Sequence, residues 1–254
     1  QPDTVTASQS VMYNYAFPTA ISDNLLAGPQ TTEGAGTRLF FINNMTETGF
    51  GSFRAGTVNG TQWDLVNRGR NSFACGANNR ASGLSSTVCG GSGNSATGES
   101  AFVGGGGTNI ADGDNSAVMG GFGNAASGLC SFIGSGINNV AAGQGSVVIG
   151  GGTPLAGNVA RGIDSIVCGG VSNVCQTPTS DSSFIGAGRV NNISSINSAI
   201  ITGDTNSILV LADQSFIGGG FSNEIGSTGF NSTNSFILCG SNNTVVGDNS
   251  CTLN

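Results

Sequence analysis

The 254-residue chain contains no histidine and no lysine, and charged residues make up only 8% of it. The absence of histidine removes the commonest general base and the commonest zinc ligand, so hydrolytic and metal-assisted chemistry is not expected. The seven basic residues are all arginine and the formal net charge is −7, which disfavours nucleic acid as a partner. We therefore predict no enzymatic activity, no cofactor, no metal site and no nucleic-acid partner.

Long apolar segments are also missing. No run approaches the roughly 18 to 20 residues of a membrane-spanning helix, so no direct membrane insertion is predicted. The seven cysteines include no Cys-x-x-Cys pair, which disfavours a zinc knuckle or a redox motif. Their spacing favours small buried side chains. Cys75 with Cys89, and Cys168 with Cys175, are candidate disulfide partners.

Glycine, by contrast, is abundant, with 44 residues, and it recurs within a repeat that runs from Ser72 to the end of the chain. Each copy begins with a serine and three mostly apolar residues, followed by a glycine cluster and a polar stretch that often holds asparagine. Successive copies begin 14 to 20 residues apart. A unit this short cannot bury a core alone, so each copy is predicted to be one turn of a solenoid. The opening serines are Ser72, Ser86, Ser100, Ser116, Ser131, Ser146, Ser165, Ser183, Ser198, Ser215, Ser235 and Ser250.

The three residues after each serine predict a short strand that is apolar on both faces. Side chains alternate across a strand, so the middle residue faces one side and its two neighbours face the other. A turn of 14 or 15 residues has room for two short strands and two tight turns, which predicts a flattened, two-sided roll of about 11 rungs. The predicted core of the roll or of a trimer comprises Phe73, Val88, Phe102, Val118, Ile133, Val148, Val167, Ile185, Ile200, Ile217 and Ile237.

The interior of such a roll covers only one face of the serine-led strand. The apolar residues on the opposite face then need another chain, and closed symmetry about a shared axis satisfies every copy equally. Self-association is therefore predicted. The second half of the early copies, such as Asn124-Ala125-Ala126-Ser127-Gly128, carries a small alanine because the roll is thin. Its glycine and asparagine are assigned structural roles at turns.

The repeat lengthens at residues 150–163, 172–181 and 221–234. Insertions in a solenoid become surface loops, so these three segments are the predicted location of a binding surface. Asparagine also starts five Asn-x-Ser/Thr sequons, which are candidate glycosylation sites. They begin at Asn44, Asn59, Asn192, Asn231 and Asn242.

The segment Ser116-Ala-Val-Met-Gly-Gly-Phe-Gly-Asn-Ala-Ala-Ser-Gly128, with its neighbours, resembles the head repeat of YadA-like trimeric autotransporter adhesins. The resemblance covers residues 72–254. It implies an all-β fold, namely a left-handed parallel β-roll with rungs of 14–20 residues. It also implies an intertwined or coaxial homotrimer and a role in adhesion or surface presentation.

Upstream, Arg38-Leu39-Phe40-Phe41, Gly51-Ser52-Phe53-Arg54-Ala55-Gly56 and Gly60-Thr61-Gln62-Trp63-Asp64 resemble a module that precedes such repeats in fibre proteins of large viruses and some bacteria. This second resemblance implies a capping module at residues 37–71 that covers the first rung, as the ends of solenoids require. Within it, Trp63 would be an anchor, and carbohydrate stacking is the alternative for this residue.

The remaining parts of the chain follow from these two assignments. Residues 1–36 have no helical period and are predicted to form an extended N-terminal arm or connector, and residues 72–254 form the β-roll head. Arg54 with Asp64 is a candidate ion pair within the capping module.

We predict a non-enzymatic trimeric fibre or adhesin head, extracellular and displayed on a virion or cell surface, that mediates attachment or forms a surface fibre. The absence of a heptad stalk makes a virion fibre as strongly indicated as a bacterial one. The expected partners are further copies of the chain, including an end-to-end filament, and a host receptor or glycan. The alternative is a purely structural, self-assembling extracellular filament or coat protein without a receptor.

Two further classes fit the sequence less well. An ice-binding face would need threonine at a fixed position of the repeat, and threonine does not recur in that way. A glycan hydrolase would need paired carboxylates beside a groove. Asp112 and Asp114 are the closest pair in sequence, but they lie in a glycine-flanked turn, where solvated side chains are expected.

Overall fold

The described residues form an all-β structure of short strands joined by turns, and the only helical element among them is the 3-10 helix Leu65–Asn67. Two compact units are present, residues 1–115 and 116–254. Together they hold about 12 turns of parallel β-solenoid, close to the 11 rungs predicted. The computed structural model describes residues 11–13, 25–27, 33–42, 51–176, 180–227 and 229–253.

Each turn contributes one short strand to a first sheet and one to a second sheet. First-sheet strands of the turns in residues 1–115 are Phe73–Ala77, Thr87–Val88 and Phe102–Val103, and their second-sheet strands are Arg80–Ala81, Ser95–Ala96 and Ile110–Ala111. In residues 116–254 the first-sheet strands are Ala117–Val118, Phe132–Ile133, Val147–Val148, Ile166–Val167, Phe184–Ile185, Ala199–Ile200, Phe216–Ile217, Phe236–Ile237 and Cys251–Thr252. The second-sheet strands there are Ala125–Ala126, Val140–Ala141, Val159–Ala160, Val174–Cys175, Asn192–Ile193, Ser207–Ile208, Glu224–Ile225 and Thr244–Val245.

Successive turns within each unit pair in parallel and residue for residue. Val118 is opposite Ile133, and Ile133 is opposite Val148, in the first sheet. Ala126 is opposite Ala141 in the second sheet. All five of these side chains are buried between the sheets. The parallel, two-sided β-roll predicted from the repeat is thereby confirmed.

The interior becomes fuller along the second unit. In its early turns, valine or isoleucine from the first sheet faces an alanine such as Ala141 from the second. In later turns both sheets contribute isoleucine, as with Ile200 and Ile208. The early turns need glycine after the alanine strand, since a Cβ at Gly128 would lie 2.0 Å from the carbonyl oxygen of Gly143. The later turns carry a larger residue there, such as Ala212, which matches their wider interior.

A column of asparagines closes one edge of the roll. Asn206 shows the arrangement: its Oδ1 accepts a hydrogen bond from the backbone nitrogen of Asn223 (3.0 Å), and its Nδ2 donates to the carbonyl oxygens of Thr202 (3.2 Å) and Gly220 (3.1 Å). Buried backbone groups that would otherwise lack partners are thereby satisfied. The column comprises Asn79, Asn94 and Asn109 in the first unit and Asn124, Asn139, Asn158, Asn173, Asn191, Asn206, Asn223 and Asn243 in the second.

A second column, of serines, closes the opposite edge in the later turns. Ser215 Oγ accepts from the backbone nitrogen of Ser235 (3.1 Å) and donates to the carbonyl oxygen of Ser232 (3.1 Å). Most of the serines that open the repeats are therefore buried rather than on the surface, and from Ser183 onward their hydroxyls join one turn to the next by hydrogen bonds. In the first unit, the third copy is shifted by one residue. Ala101 is buried at the position that the opening serine occupies in other copies, and Ser100 precedes it with a φ of 54°.

Left-handed backbone conformations make the tight turns. Gly121 has φ 90°, and a Cβ there would lie 2.2 Å from the carbonyl oxygen of Gly136 in the next turn. Only glycine fits such a position. The asparagines of the column are not the left-handed residues; the residue before them often is, as at Asn138. The column positions therefore favour asparagine because of its side-chain hydrogen bonds, and not because of a left-handed backbone conformation.

The residues before the first turn form an antiparallel sheet that continues into the solenoid. Gly36–Ile42 pairs with Ser52–Val58, and Ser52–Val58 then runs parallel to Phe73–Ala77 of the first turn. Two short strands from the predicted arm, Val11–Tyr13 and Leu25–Ala27, extend the same sheet, because Leu25–Ala27 pairs with Gly36–Ile42. The predicted arm therefore contributes strands to the sheet of the capping module.

The capping module packs over the interior of the first turn. Trp63 is fully buried in a cluster with Phe40, Ile42 and Val58, and its Nε1 donates to the carbonyl oxygen of Asn79 (2.8 Å). The ring of Trp63 meets Phe40 edge-on, with centroids 6.1 Å apart. Trp63 thus serves as an anchor, and its burial leaves no face for stacking against a carbohydrate.

Arg54 occupies the inward position of the cap strand, opposite Ala74 of the first turn. Its guanidinium donates to Ser72 Oγ (2.9 Å) and to the carbonyl oxygens of Ser72 (3.1 Å) and Ala81 (2.8 Å). Burial, together with the neighbouring charge of Arg68, lowers its pKa to about 9, so it is still charged at pH 7.

Arg54 and Asp64 do not form the ion pair considered from the sequence, because each has other partners. Asp64 Oδ1 accepts from the backbone nitrogen of Gly34 (2.6 Å), and Arg68 forms an ion pair with Glu33, which precedes the module (2.7 Å). Arg54 is directed into the roll, where backbone carbonyls are its partners, because strand alternation points it inward.

We expect Asn206→Ala to lower the free energy of unfolding by about 2 kcal/mol, because it leaves the backbone nitrogen of Asn223 without an acceptor and removes a donor from the carbonyl oxygens of Thr202 and Gly220. Urea unfolding followed by circular dichroism measures the change. Asn231→Ala, at an exposed position, is the control and is expected to have little effect. Equal losses for both variants would contradict a structural role of the column.

We expect Arg54→Met to destabilise the cap by about 3 kcal/mol, because carbonyls of Ser72 and Ala81 lose a charged donor. The fluorescence of Trp63, the only tryptophan, reports unfolding of this module directly. Arg80→Met is the control, since Arg80 points outward and its Nε donates only to Ser82 Oγ. A midpoint unchanged from the wild type would show that the cap does not depend on Arg54.

Candidate interaction surfaces

The outward side of the first sheet carries an uncharged, mainly apolar surface, which we call the apolar face. It consists of the two residues that flank each inward residue of a first-sheet strand. In the second unit these are Ala117, Met119, Phe132, Gly134, Val147, Ile149, Ile166, Cys168, Phe184, Gly186, Ala199, Ile201, Phe216, Gly218, Phe236, Leu238, Cys251 and Leu253. In the first unit the corresponding residues are Phe73, Cys75, Thr87, Cys89, Phe102 and Gly104.

Large and small side chains compensate each other on the apolar face. Where phenylalanine comes first, glycine usually comes third: a Cβ at Gly186 would lie 3.3 Å from Cε1 of Phe184, so the ring lies close to the glycine. The next turn reverses the order, with Ala199 first and Ile201 third.

Much of the apolar face is exposed in the single chain. Met119 is 49% exposed, Ile149 51%, Ile201 43% and Leu238 51%. A continuous apolar surface rimmed by polar residues is typical of interaction sites in soluble proteins.

A row of small residues borders the apolar face, one position further along each turn. In the second unit it comprises Gly120, Ser135, Gly150, Gly169, Ala187, Thr202, Gly219 and Cys239. Four glycines at this position have no reason within their own chain to be glycine. A Cβ on Gly90 or Gly105 in the first unit, or on Gly120 or Gly169 in the second, would meet nothing within 4 Å, and none of the four has a positive φ.

The outward side of the second sheet has a different character. Its early turns present Ala125, Val140 and Val159, whereas its later turns present Asn192 and then serine, glutamate and threonine. Near the later turns, Arg189 forms an exposed ion pair with Asp204, whose pKa is lowered by hydrogen bonds from Thr205 and Arg189. The charges and hydroxyls therefore lie away from the apolar face.

The predicted insertion loops present apolar tips. In residues 150–163, a tight turn closed by Thr153 and Ala156 leaves Leu155 98% exposed. In residues 221–234, a bridge between Ser227 and Phe230 leaves Phe230 65% exposed. The loop in residues 172–181 lies partly outside the described residues. These tips project singly from separate turns.

Nine of the eleven predicted core residues are buried between the sheets: Val88, Val118, Ile133, Val148, Val167, Ile185, Ile200, Ile217 and Ile237. The remaining two, Phe73 and Phe102, face outward and not into the roll. The pairing register places Ala74 and Val103 inside the roll, and both phenylalanines are half-buried on the apolar face. The physical reason is strand alternation, since each phenylalanine precedes the inward residue.

The cysteines, all of which lie in the described part of the chain, are free thiols. Cys168 and Cys175 belong to different sheets, where Cys168 faces outward and Cys175 is buried inside, so this candidate pair is not formed. Cys75 and Cys89 are neighbours in adjacent turns. Burial and the nearby Cys89 raise the pKa of the Cys75 thiol.

The sequon asparagines have different surroundings. Asn59, Asn231 and Asn242 are exposed, whereas Asn44 lies outside the described residues. Asn192 is half-buried, and its side chain accepts from Gln176 Nε2 (3.1 Å) and donates to Ser194 Oγ (3.1 Å). The amide of Asn192 is therefore engaged within the fold.

The carboxylates considered for hydrolysis have structural surroundings. Asp114 Oδ1 accepts from the backbone nitrogen of Glu99 (2.8 Å), and Asp112 is exposed. Asp181, Asp213 and other aspartates make the same cross-turn contact as Asp114. Across the described residues, no group of three His, Cys, Asp or Glu side chains is arranged to hold a metal ion, and no helix there has the length and apolarity to cross a membrane.

Comparison with known proteins gives no family assignment. No protein-family model matches the chain, and a search of the curated proteins gave no match.

We expect Cys175 to resist thiol-specific labelling at pH 8 in the folded chain, because burial raises its pKa to about 12 and keeps it protonated. Cys130, which is exposed, provides the internal control and should react in both the folded and the unfolded chain. Mass spectrometry of the labelled peptides measures both residues. Equal labelling of the two thiols under native conditions would contradict the inward placement of Cys175.

Proposed function

We propose that this chain is a non-enzymatic trimeric fibre or adhesin head, displayed on a virion or cell surface, that mediates attachment or forms a surface fibre. The observation that carries the proposal is the apolar face. In the second unit it extends over nine strands, a distance of about 38 Å at the usual strand spacing, without a charged residue.

Burial of the apolar face against other copies removes this surface from water, which is favourable in proportion to the apolar area covered. Three copies around one axis allow every first sheet to turn its apolar face inward. All eight charged residues of the second unit lie off this face, so its burial leaves no charge unpaired. They are Arg161, Asp164, Asp181, Arg189, Asp204, Asp213, Glu224 and Asp248.

The row of small residues supports close approach of a second backbone. Gly90 and Gly169 have room for a side chain in their own chain, so the preference for glycine is best explained by a neighbour from outside. Small residues at an interface allow two backbones to pack more closely than large side chains do.

The resemblance of Ser116–Gly128 and its neighbours to YadA-like head repeats supports the finer features of the proposal. These features are the left-handed coiling, the threefold arrangement and the extracellular location. The upstream resemblance supports a fibre-type capping module, for which the insertion of Arg54 and Trp63 at the first turn provides a physical role.

A stiff unit suits a fibre. Each turn is joined to the next through two sheets and the asparagine column, and the later turns also through the serine column, so bending a unit would break several hydrogen bonds at once. The proposal is non-enzymatic because the chain has no histidine and Asp114, one of its candidate acids, is engaged in a cross-turn contact.

We expect native mass spectrometry of the full chain at micromolar concentration to give three chains of 25.1 kDa. Ile201→Glu should dissociate this trimer, because it buries an unpaired carboxylate in the proposed interface. Ala142→Glu places the same charge at an exposed position beside the second sheet and should leave the trimer intact. A monomeric wild type, or a trimer that tolerates Ile201→Glu, would contradict the proposal.

A further inference from the structure

A polar groove lies on the outer surface of the second unit, along the later turns of the second sheet. It encloses about 350 Å³, within the usual size range of small-molecule sites. One wall consists of the residues just before the asparagine column, and the other of the residues just after it. The first wall comprises Thr205, Ser222 and Asn242, and the second comprises Ser207, Glu224 and Thr244.

The groove contains polar groups that the fold itself does not use. Within the described part of the chain, the side chains of Ser207, Ser222, Glu224, Asn242 and Thr244 have no protein hydrogen-bond partner. In the same turns, the side chains of the asparagine and serine columns are fully engaged. The groove therefore offers three hydroxyls, an amide and a carboxylate to a ligand.

The backbone of the groove is not available for recognition. The nitrogen of Ser222 donates to the carbonyl oxygen of Asp204, that of Glu224 to Asn243, and that of Asn242 to Phe221. An extended peptide that binds by strand addition needs free backbone donors and acceptors. Recognition in this groove must instead use side chains, which suits a ligand with many hydroxyl groups.

The charge of the groove restricts the ligand further. Glu224 is the only charged residue that lines it, and Asp204 lies beside Thr205. An anionic ligand, such as a nucleic acid or an acidic sugar, would be repelled. A neutral sugar can donate hydroxyl hydrogens to the carboxylate and accept from the serine and threonine hydroxyls.

The spacing of the groove matches a repeating ligand. Equivalent wall residues come from three successive turns, which are roughly 4.8 Å apart. A sugar ring in an extended β-1,4-linked chain advances by a similar distance, so one ring can lie against each turn.

We propose that this groove binds a linear, neutral glycan with one sugar ring per turn. This inference rests on the proposed attachment role and names a class of ligand for it. The groove lies on a surface that the proposed subunit interface leaves free. Glu224 accepts hydrogen bonds from the central ring, and Thr244 and Ser207 contact the rings on either side.

Isothermal titration calorimetry on the full chain, with β-1,4-linked glucose and N-acetylglucosamine oligomers of one to five units, tests the proposal. We expect affinity for at least one series to rise up to three units and then level off. Glu224→Gln should weaken binding about ten-fold, because a charged acceptor is lost, and Thr244→Val should weaken it less. Ser127→Ala removes an exposed hydroxyl outside the groove and should bind as the wild type does.

No heat of binding at millimolar concentration for either series would overturn the proposal. So would equal affinity of the wild type and Glu224→Gln, or tighter binding of an oligogalacturonate than of the neutral oligomers. Native mass spectrometry of the same samples distinguishes the two proposals. A trimer that binds no glycan would contradict only the ligand assignment. A monomer that binds a glycan would contradict only the proposed trimeric state.

Discussion

Residue-for-residue stacking of parallel turns is the constraint on which the remaining structure depends. Each turn must offer the next one an unbroken set of hydrogen-bond donors and acceptors, including at the two edges where no strand is present. The asparagine column supplies them at one edge, and in the later turns the serine column supplies them at the other. A side chain at these positions is therefore selected for what it gives to the following turn, and the repeat in the sequence is the consequence.

The thinness of the roll determines what its outer surfaces can be. One inward side chain per strand fills the interior, so the two neighbours of each inward residue on the first sheet must face outward whatever their polarity. On the first sheet those neighbours are apolar, and on the later turns of the second sheet they are serine, glutamate and threonine. One simple alternation thus produces a surface suited to subunit contact and a separate surface suited to a hydroxyl-rich ligand.

The first turn of the solenoid also needs hydrogen-bond partners, and here the residues before it supply them. The first turn has no preceding turn, and the residues before it supply donors to its carbonyl groups: the backbone nitrogens of Phe53 and Gly69 donate to Ser72 and Ala81, and Arg54 donates to the same two carbonyl oxygens. Trp63 packs with Phe40, Ile42 and Val58 and donates to the carbonyl oxygen of Asn79 in the first turn. A charged residue is stable there because several acceptors surround it, which offsets part of the cost of burial.

The amino-acid sequence alone determined the period, the two strands per turn and the identity of most inward residues, because alternation and glycine placement are local properties. It did not determine the register at the third copy, where Val103 rather than Phe102 points inward. Register depends on pairing with the neighbouring turn, which is a tertiary contact. The separation of Cys168 from Cys175, the inward direction of Arg54 and the set of unused polar groups beside Glu224 were decided in the same way. Each depends on which side of a strand a residue occupies after stacking, and on which polar groups the neighbouring turns have already engaged.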